Sequence, residues 1–378
     1  MADKDFQMQE PVIRCWSVCI PDNAAEEVSK TLKSKWINTG KKEKEFREKV
    51  CRRFKAPYAI ACTNGTTALK IGLSAVGVGY GDEVVSTPFT FIATNTSILE
   101  LGARPVFADI QYNTLNIDPK SVEEKITDKT KAIVCVHYAG NPVDLDELRA
   151  VAKKHDLPII EDGAHAMASE YKGKPIGATG GIVTFSFQCV KIVTAGDGGV
   201  VTTDNEEIYN KLKKLSWYGI DRDTKKADVL DPLPAHPDGL GFKANMNDIT
   251  ATLGCVAMDY LDAALGRRRE ICERYRKELS LLSKITLIEY QDHWKPNYQI
   301  FPVHIKDRER FAHFMWDRNI QVNINNRRND IYDIFGGLCD LPNVKRADED
   351  VVLIPCHTDL TNEDVDRIIQ CIRDYDAI

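Results

Sequence analysis

Lys191 lies in Phe185-Ser186-Phe187-Gln188-Cys189-Val190-Lys191-Ile192-Val193-Thr194-Ala195-Gly196-Asp197-Gly198-Gly199, after an apolar, strand-like run and before a glycine-rich turn. A lysine held nearly dry there loses its preference for the charged form, and a neutral amine can attack an aldehyde. Most lysines are solvated surface charges, so this one gains meaning only from its company. Thr63-Asn64-Gly65-Thr66-Thr67-Ala68-Leu69 follows an apolar run and opens a helical pattern with Leu69, Leu73 and Val76 on one stripe. Gly65 allows close backbone approach, and Thr66 and Thr67 set hydroxyls and N–H groups at a helix N-terminus, where phosphate is favoured. The same residues also make an ordinary N-cap. Asp162 ends Ile160-Glu161-Asp162-Gly163-Ala164-His165, and a carboxylate closing a buried strand needs a cation or several donors. It can cap the next helix or pair with a protonated ring nitrogen. His165 shares its face if a helical turn starts there, in a structural or a ligand-facing role. Thr87-Pro88-Phe89-Thr90-Phe91 ends a further run with two aromatics, which either fill the core or stack on a planar ring.

An amine, an acid for a ring nitrogen, a stacking ring and a phosphate cradle are together the requirements of pyridoxal phosphate (PLP). No single member is decisive; the conjunction leads to the expectation of a PLP enzyme with Lys191 as its Schiff-base lysine.

These residues must be carried by elements that bring them to one place. Strand-like runs fall at 58–63, 83–88, 105–109, 132–137, 157–161, 182–187 and 199–203, separated by helical patterns such as 65–77 and 144–155. Strands apolar on both faces and alternating with helices predict an α/β fold with a largely parallel sheet covered on both sides. The last two runs lie too close for an intervening helix and are expected to pair antiparallel. Ligands of such sheets gather at the carboxyl ends of the strands, where several of the residues above fall. Residues 221–243 read as a long loop, helical patterns resume at about 248–281, and 283–378 alternates strand and helix on a smaller scale. The expected division is a large domain over 1–250, including an N-terminal arm, and a smaller C-terminal α/β domain over 251–378.

With these motifs in view, the chain resembles the sugar aminotransferases of the DegT/DnrJ/StrS group, PLP enzymes of fold type I. The resemblance runs from Trp36-Ile37-Asn38-Thr39-Gly40 to Gly241-Phe242-Lys243-Ala244-Asn245-Met246-Asn247-Asp248 and continues through Gly266-Arg267-Arg268-Arg269-Glu270. Segments 77–84, 101–109 and 137–142 look like signatures of the group. The resemblance implies a mixed, mostly parallel seven-stranded sheet in the large domain. It implies that Lys191 bonds to the cofactor and shuttles the proton, that Asp162 meets the pyridine nitrogen, and that His165 lies near the ring's 3-hydroxyl. Phe91 rather than Phe89 would stack on the ring, and Thr66, Thr67 and Ser186 would hold the phosphate with Gly65 permitting approach. Relatives are dimers in which the loop matching 241–247 enters the neighbouring site; many carry Asn where this chain has Lys243, which is expected to meet the phosphate instead. The implied reaction is ping-pong transfer from L-glutamate, leaving 2-oxoglutarate, to a nucleotide-linked keto sugar. The Asn245-Met246 pair is similar to that of members aminating C4 of 4-keto-6-deoxy sugars, whereas C3-specific relatives more often carry Arg-Leu-Asp. Where many relatives have a His-Tyr-Pro-type segment, this chain has Arg327 and Arg328, which either clamp a diphosphate or carboxylate or form a solvated turn. A sugar dehydratase of the same fold would carry histidine in place of Lys191; C3 amination and other fold type I reactions are the alternatives.

Bulk properties agree. The 378 residues, 43% hydrophobic and 28% charged, suit a globular protein with a large core. The net charge of −6 gives no electrostatic reason to expect nucleic acid or an anionic membrane. Eleven cysteines are scattered without a C-x-x-C pair, so reduced thiols of a cytoplasmic protein are expected, with no metal site. The start of the chain lacks a signal-peptide h-region, and no run approaches the roughly 18 apolar residues of a membrane span.

Overall fold

The computed structural model describes residues 12–221, 237–324 and 326–378. Most of the loop expected at 221–243 lies outside the described residues. The strands are β1 (Tyr58–Cys62), β2 (Glu83–Ser86), β3 (Arg104–Phe107), β4 (Thr130–Val136), β5 (Ile159–Asp162), β6 (Glu170–Tyr171), β7 (Lys174–Pro175), β8 (Ile182–Ser186), β9 (Gly199–Thr203), β10 (Ile285–Leu287), β11 (Trp294–Lys295), β12 (Phe301–Ile305) and β13 (Val351–Ile354). The helices are α1 (Ala24–Lys33), α2 (Lys41–Phe54), α3 (Gly65–Ala75), α4 (Ile92–Leu99), α5 (Pro119–Lys125), α6 (Leu145–Lys154), α7 (Glu206–Ser216), α8 (Asp248–Leu279), α9 (Arg308–Trp316), α10 (Pro342–Asp350) and α11 (Asn362–Ala377).

The seven-stranded sheet has the order β1-β9-β8-β5-β4-β2-β3. β8, β5, β4, β2 and β3 pair in parallel, while β9 runs antiparallel to both its neighbours, β1 and β8. Every strand except β9 therefore ends at one edge of the sheet. The expected antiparallel pair is the β8–β9 pair, joined without a helix because only the Lys191 loop separates them.

Apolar side chains cover both faces. Against one face pack α2, α6 and the start of α8, with Phe54 stacked on Phe185 (ring centroids 4.7 Å apart) and Phe46 edge-on to Phe187 (4.9 Å). Against the other lie α3 and α7, with Leu69, Ile71 and Leu73 meeting Ile160, Ile182 and Val201. Glu161, buried beneath the first face, is partnered by Arg149 (3.3 Å), His137 (3.1 Å) and the Thr179 hydroxyl (2.9 Å), so β5 carries two adjacent carboxylates in different surroundings.

A second core forms on the antiparallel sheet β10-β12-β13 with α9 and α11. The 32-residue α8 serves both cores: Ala251 to Leu265 pack in the first, Ile271 to Leu279 in the second. The change of core falls inside α8. Ile13, near the start of the described residues, packs in the smaller core and is hydrogen-bonded to Asn319 (2.9 Å) and Gln321 (2.8 Å).

Candidate active site

A cavity of about 480 Å³ opens at the edge where β1, β8, β5, β4 and β2 end. That volume lies within the usual range for a small-molecule site. Lys191, Asp162, His165, Gly65, Thr66, Phe91 and Ser186 all line it.

Lys191 is positioned by the loop between β8 and β9. Phe187 N donates to Gly198 O (2.8 Å) and Ala195 N to Phe187 O (2.9 Å), closing the loop on itself. The Gln299 side chain then brackets the lysine, accepting from Ile192 N (3.0 Å) and donating to Val190 O (2.9 Å). Burial lowers the Lys191 pKa to about 8 despite the opposing pull of Asp162. A sizeable fraction of neutral amine therefore exists near neutrality.

Asp162 ends β5 buried, with Oδ2 accepting from the Thr94 hydroxyl (2.8 Å) and Oδ1 from Ala164 N (3.0 Å). Burial raises its pKa; the two hydrogen bonds and the Lys191 charge oppose the rise. A cationic N–H placed against this carboxylate would relieve that burial cost. Burial pushes His165 well below the ordinary imidazole value, with the Lys191 charge adding to the effect. Its Nδ1 is buried without a hydrogen-bond partner.

The start of α3 makes the cradle. Asn64 caps it by accepting from Thr67 N (2.8 Å), and the Thr67 hydroxyl meets that of Thr63 (3.2 Å). Thr67 is consequently engaged in the cap and does not line the cavity, whereas Thr66 does. A Cβ on Gly65 would come within 2.8 Å of Ser186 Cβ, so the glycine keeps the helix end and the end of β8 in close contact. Phe91 is 59% exposed at the mouth, while Phe89 is buried against Tyr138 with ring centroids 5.1 Å apart.

The remaining expected residues lie outside the cavity. Segment 241–247 is strapped to the end of β1, with Ala244 O accepting from Thr63 N (2.8 Å). Lys243 is exposed, its Nζ 4.2 Å from the Trp217 ring centroid and 2.5 Å from Asn245 Oδ1; Asn245 in turn donates to the Thr39 hydroxyl. The two-arginine clamp needs correction. Arg328 is buried in a two-pronged ion pair with Asp330 (2.7 and 2.6 Å) and donates to Cys339 O (2.9 Å), which fixes a turn and leaves no fork for a ligand. Arg327 pairs with Asp348 at 3.3 Å outside the cavity, and it is Asn326 that lines it. Thr94 and Gln299 were not legible as site residues. Thr94 was detectable only as a polar residue three positions after Phe91, and nothing local marks Gln299.

An uncommitted buried imidazole nitrogen, a carboxylate awaiting a cation, a lysine of lowered pKa and a helix N-terminus made approachable by glycine all fit PLP. Fold and site together define a PLP-dependent aminotransferase of fold type I. The chain belongs to the DegT/DnrJ/EryC1/StrS aminotransferase family, whose model matches residues 18–373. It is 32% identical to the spore coat polysaccharide biosynthesis protein SpsC of Bacillus subtilis, over 92% of this chain and 93% of that one. Among solved structures it resembles AtS13 from Actinomadura melliaura (TM-score 0.92, 30% identity, 96% of this chain and 98% of that one). It also resembles the sugar aminotransferase CalS13 from Micromonospora echinospora (TM-score 0.88, 31% identity, 95% and 99%). Among the described residues, no helix is long and apolar enough to cross a membrane, and no group of three or more His, Cys, Asp or Glu side chains could hold a metal.

Proposed function

We propose that the protein transfers the amino group of L-glutamate to the C4 keto group of a nucleotide-linked keto-deoxy sugar, acting as a homodimer. The observation that carries the reading is the convergence of the Lys191 amine and the buried Asp162 carboxylate in one cavity. Bound PLP supplies an aldehyde and an electron-withdrawing ring. Lys191 would hold the aldehyde end of the cofactor and, when released, would take the proton from the donor's Cα as base and deliver it again as acid. Asp162 would keep the ring nitrogen protonated, with Thr94 fixing the carboxylate's orientation. Gly65, Thr66 and Ser186 would hold the phosphate, His165 would face the 3-hydroxyl, and Phe91 would cover the ring.

A sugar acceptor is supported by the likeness to CalS13 and to a polysaccharide biosynthesis protein. Position C4 is supported by Asn245-Met246 in the strapped segment. Lysine at 191, where a dehydratase would have histidine, favours transamination. The dimer is supported by Lys243, exposed and outside its own chain's cavity, and by the exposed apolar side chains of Trp36, Ile37 and Phe91. Incubation of the PLP-bound protein with L-glutamate and a panel of nucleotide-linked 3-keto and 4-keto sugars should give an amine product from 4-keto sugars. Amination at C3, or turnover with 2-oxo acids as the sole acceptors, would contradict this reading.

A further inference from the structure

Cys272, towards the end of α8, and Cys356, just past the end of β13, meet in the smaller core with their Sγ atoms 3.1 Å apart. Both thiols are free, and among the described residues this is the one contact between two of them. A disulfide needs a separation of about 2.05 Å, so closing the pair takes a movement of about 1 Å.

The two thiols are not equivalent. Cys272 is fully buried, whereas Cys356, 4% exposed, lines the catalytic cavity and can be reached by a small oxidant. The hydrogen bond from Cys272 and the charge of Arg268, with Nη1 3.9 Å from the Cys356 sulfur, hold Cys356 below the ordinary thiol value against the opposing effect of burial. Burial pushes Cys272 well above it. Cys356 thus supplies the thiolate while Cys272 keeps its proton, the division of roles between an attacking and a resolving cysteine. Cys15 also lines the cavity, but burial, with the Cys356 charge adding, raises its thiol to about 12 and makes it a poor competitor.

We propose that Cys272 and Cys356 form a reversible, peroxide-driven disulfide that alters the wall of the catalytic cavity. The Cys356 thiolate attacks one oxygen of hydrogen peroxide and breaks the O–O bond, becoming a sulfenic acid. The displaced hydroxide takes the proton that Cys356 had released and becomes water. The Cys272 thiol then attacks the sulfenic sulfur, and its proton leaves with the hydroxyl as a second water. Two thiols lose two electrons in all, and one peroxide becomes two waters. The bond staples α8 to the chain after β13, where the Cys356 carbonyl accepts from Arg268 Nη1 (2.7 Å), and both of these residues line the cavity. Shifts on the order of 1 Å in a catalytic wall slow turnover severely. The bond itself is independent of the functional reading above; its effect on turnover rests on that reading.

The test treats the PLP-bound protein with hydrogen peroxide, alkylates the remaining thiols after denaturation, and maps the unreduced digest by mass. A peptide pair joined through Cys272 and Cys356 is expected, with two of the eleven thiols lost and both recovered by dithiothreitol. In Cys272→Ala the Cys356 sulfenic acid should persist and be captured by dimedone. The change in cofactor absorbance on adding L-glutamate should slow in step with the bond and recover on reduction. Wild-type protein in which both thiols are still alkylated, or in which Cys356 is joined to Cys15, overturns the inference without any variant having to fold. Full turnover by protein carrying the mapped bond overturns its effect on the cavity. Untreated protein inert toward L-glutamate overturns the functional reading instead, while the mapped bond still decides the thiol site.

Discussion

Lys191 and Asp162 attract one another, yet burial lowers the lysine and raises the aspartate, so desolvation outweighs their pairing at both ends. This has a sign that can be checked. Between about pH 8 and the ordinary lysine value of 10.5, the unfolded chain holds a proton that the folded chain has released. The cost to stability is therefore full below about pH 8 and fades as pH rises through that window. The reactive neutral amine follows the same titration. The rate of PLP uptake by cofactor-free protein should rise about tenfold per pH unit on the acid side of about pH 8 and level off above it, measured by stopped-flow absorbance. A rate independent of pH across that range would show that Lys191 is not the attacking group. Asp162 could be read from the sequence because a carboxylate closing an apolar strand demands an explanation. Thr94 could not, since its bond to Asp162 spans 68 residues. Adjacency of Arg327 and Arg328 in sequence allows a shared fork or a turn, and the turn is what forms, with Asp330 and Cys339 O taking up Arg328.

At the scale of elements, the cradle depends on how closely α3 meets the end of β8. An alanine at Gly65 would favour the helix by about 1 kcal/mol on propensity alone. Its Cβ would nevertheless meet Ser186 Cβ at 2.8 Å, and that atom is anchored to a strand and cannot swing aside. Gly65→Ala is expected to cost a net 1–3 kcal/mol, roughly, in denaturant unfolding and to weaken PLP binding at least about tenfold by equilibrium titration. An unchanged affinity would show that this contact does not shape the cofactor site. The strands were legible because runs apolar on both faces have few other solutions in a soluble chain. The change of core within α8 was not, because the helix keeps its period through 250 and on to 279 without a breaker. Only its packing partner changes, between Leu265 and Ile271, and periodicity carries no record of the partner.

Across the whole molecule, one sheet edge collects the ends of β1, β2, β4, β5 and β8, while α8 and the segment leading into β12 bring Arg268 and Gln299 from the side of the second core. The first group was recoverable from the sequence, since each motif directly follows a strand. The second was not, because it depends on how a long helix and a distant strand close over the Lys191 loop. The candidate catalytic residues thus sit on the large sheet, while Arg268 and Gln299 line the same cavity from later in the chain. Borohydride reduction of the PLP-bound protein, followed by proteolysis and peptide mass measurement, tests the role of Lys191 most directly. The cofactor should be fixed on the peptide containing Lys191 and should be absent from that position in Lys191→Ala. A protein that takes up no PLP, or one labelled at another lysine with Lys191 unmodified, would contradict it.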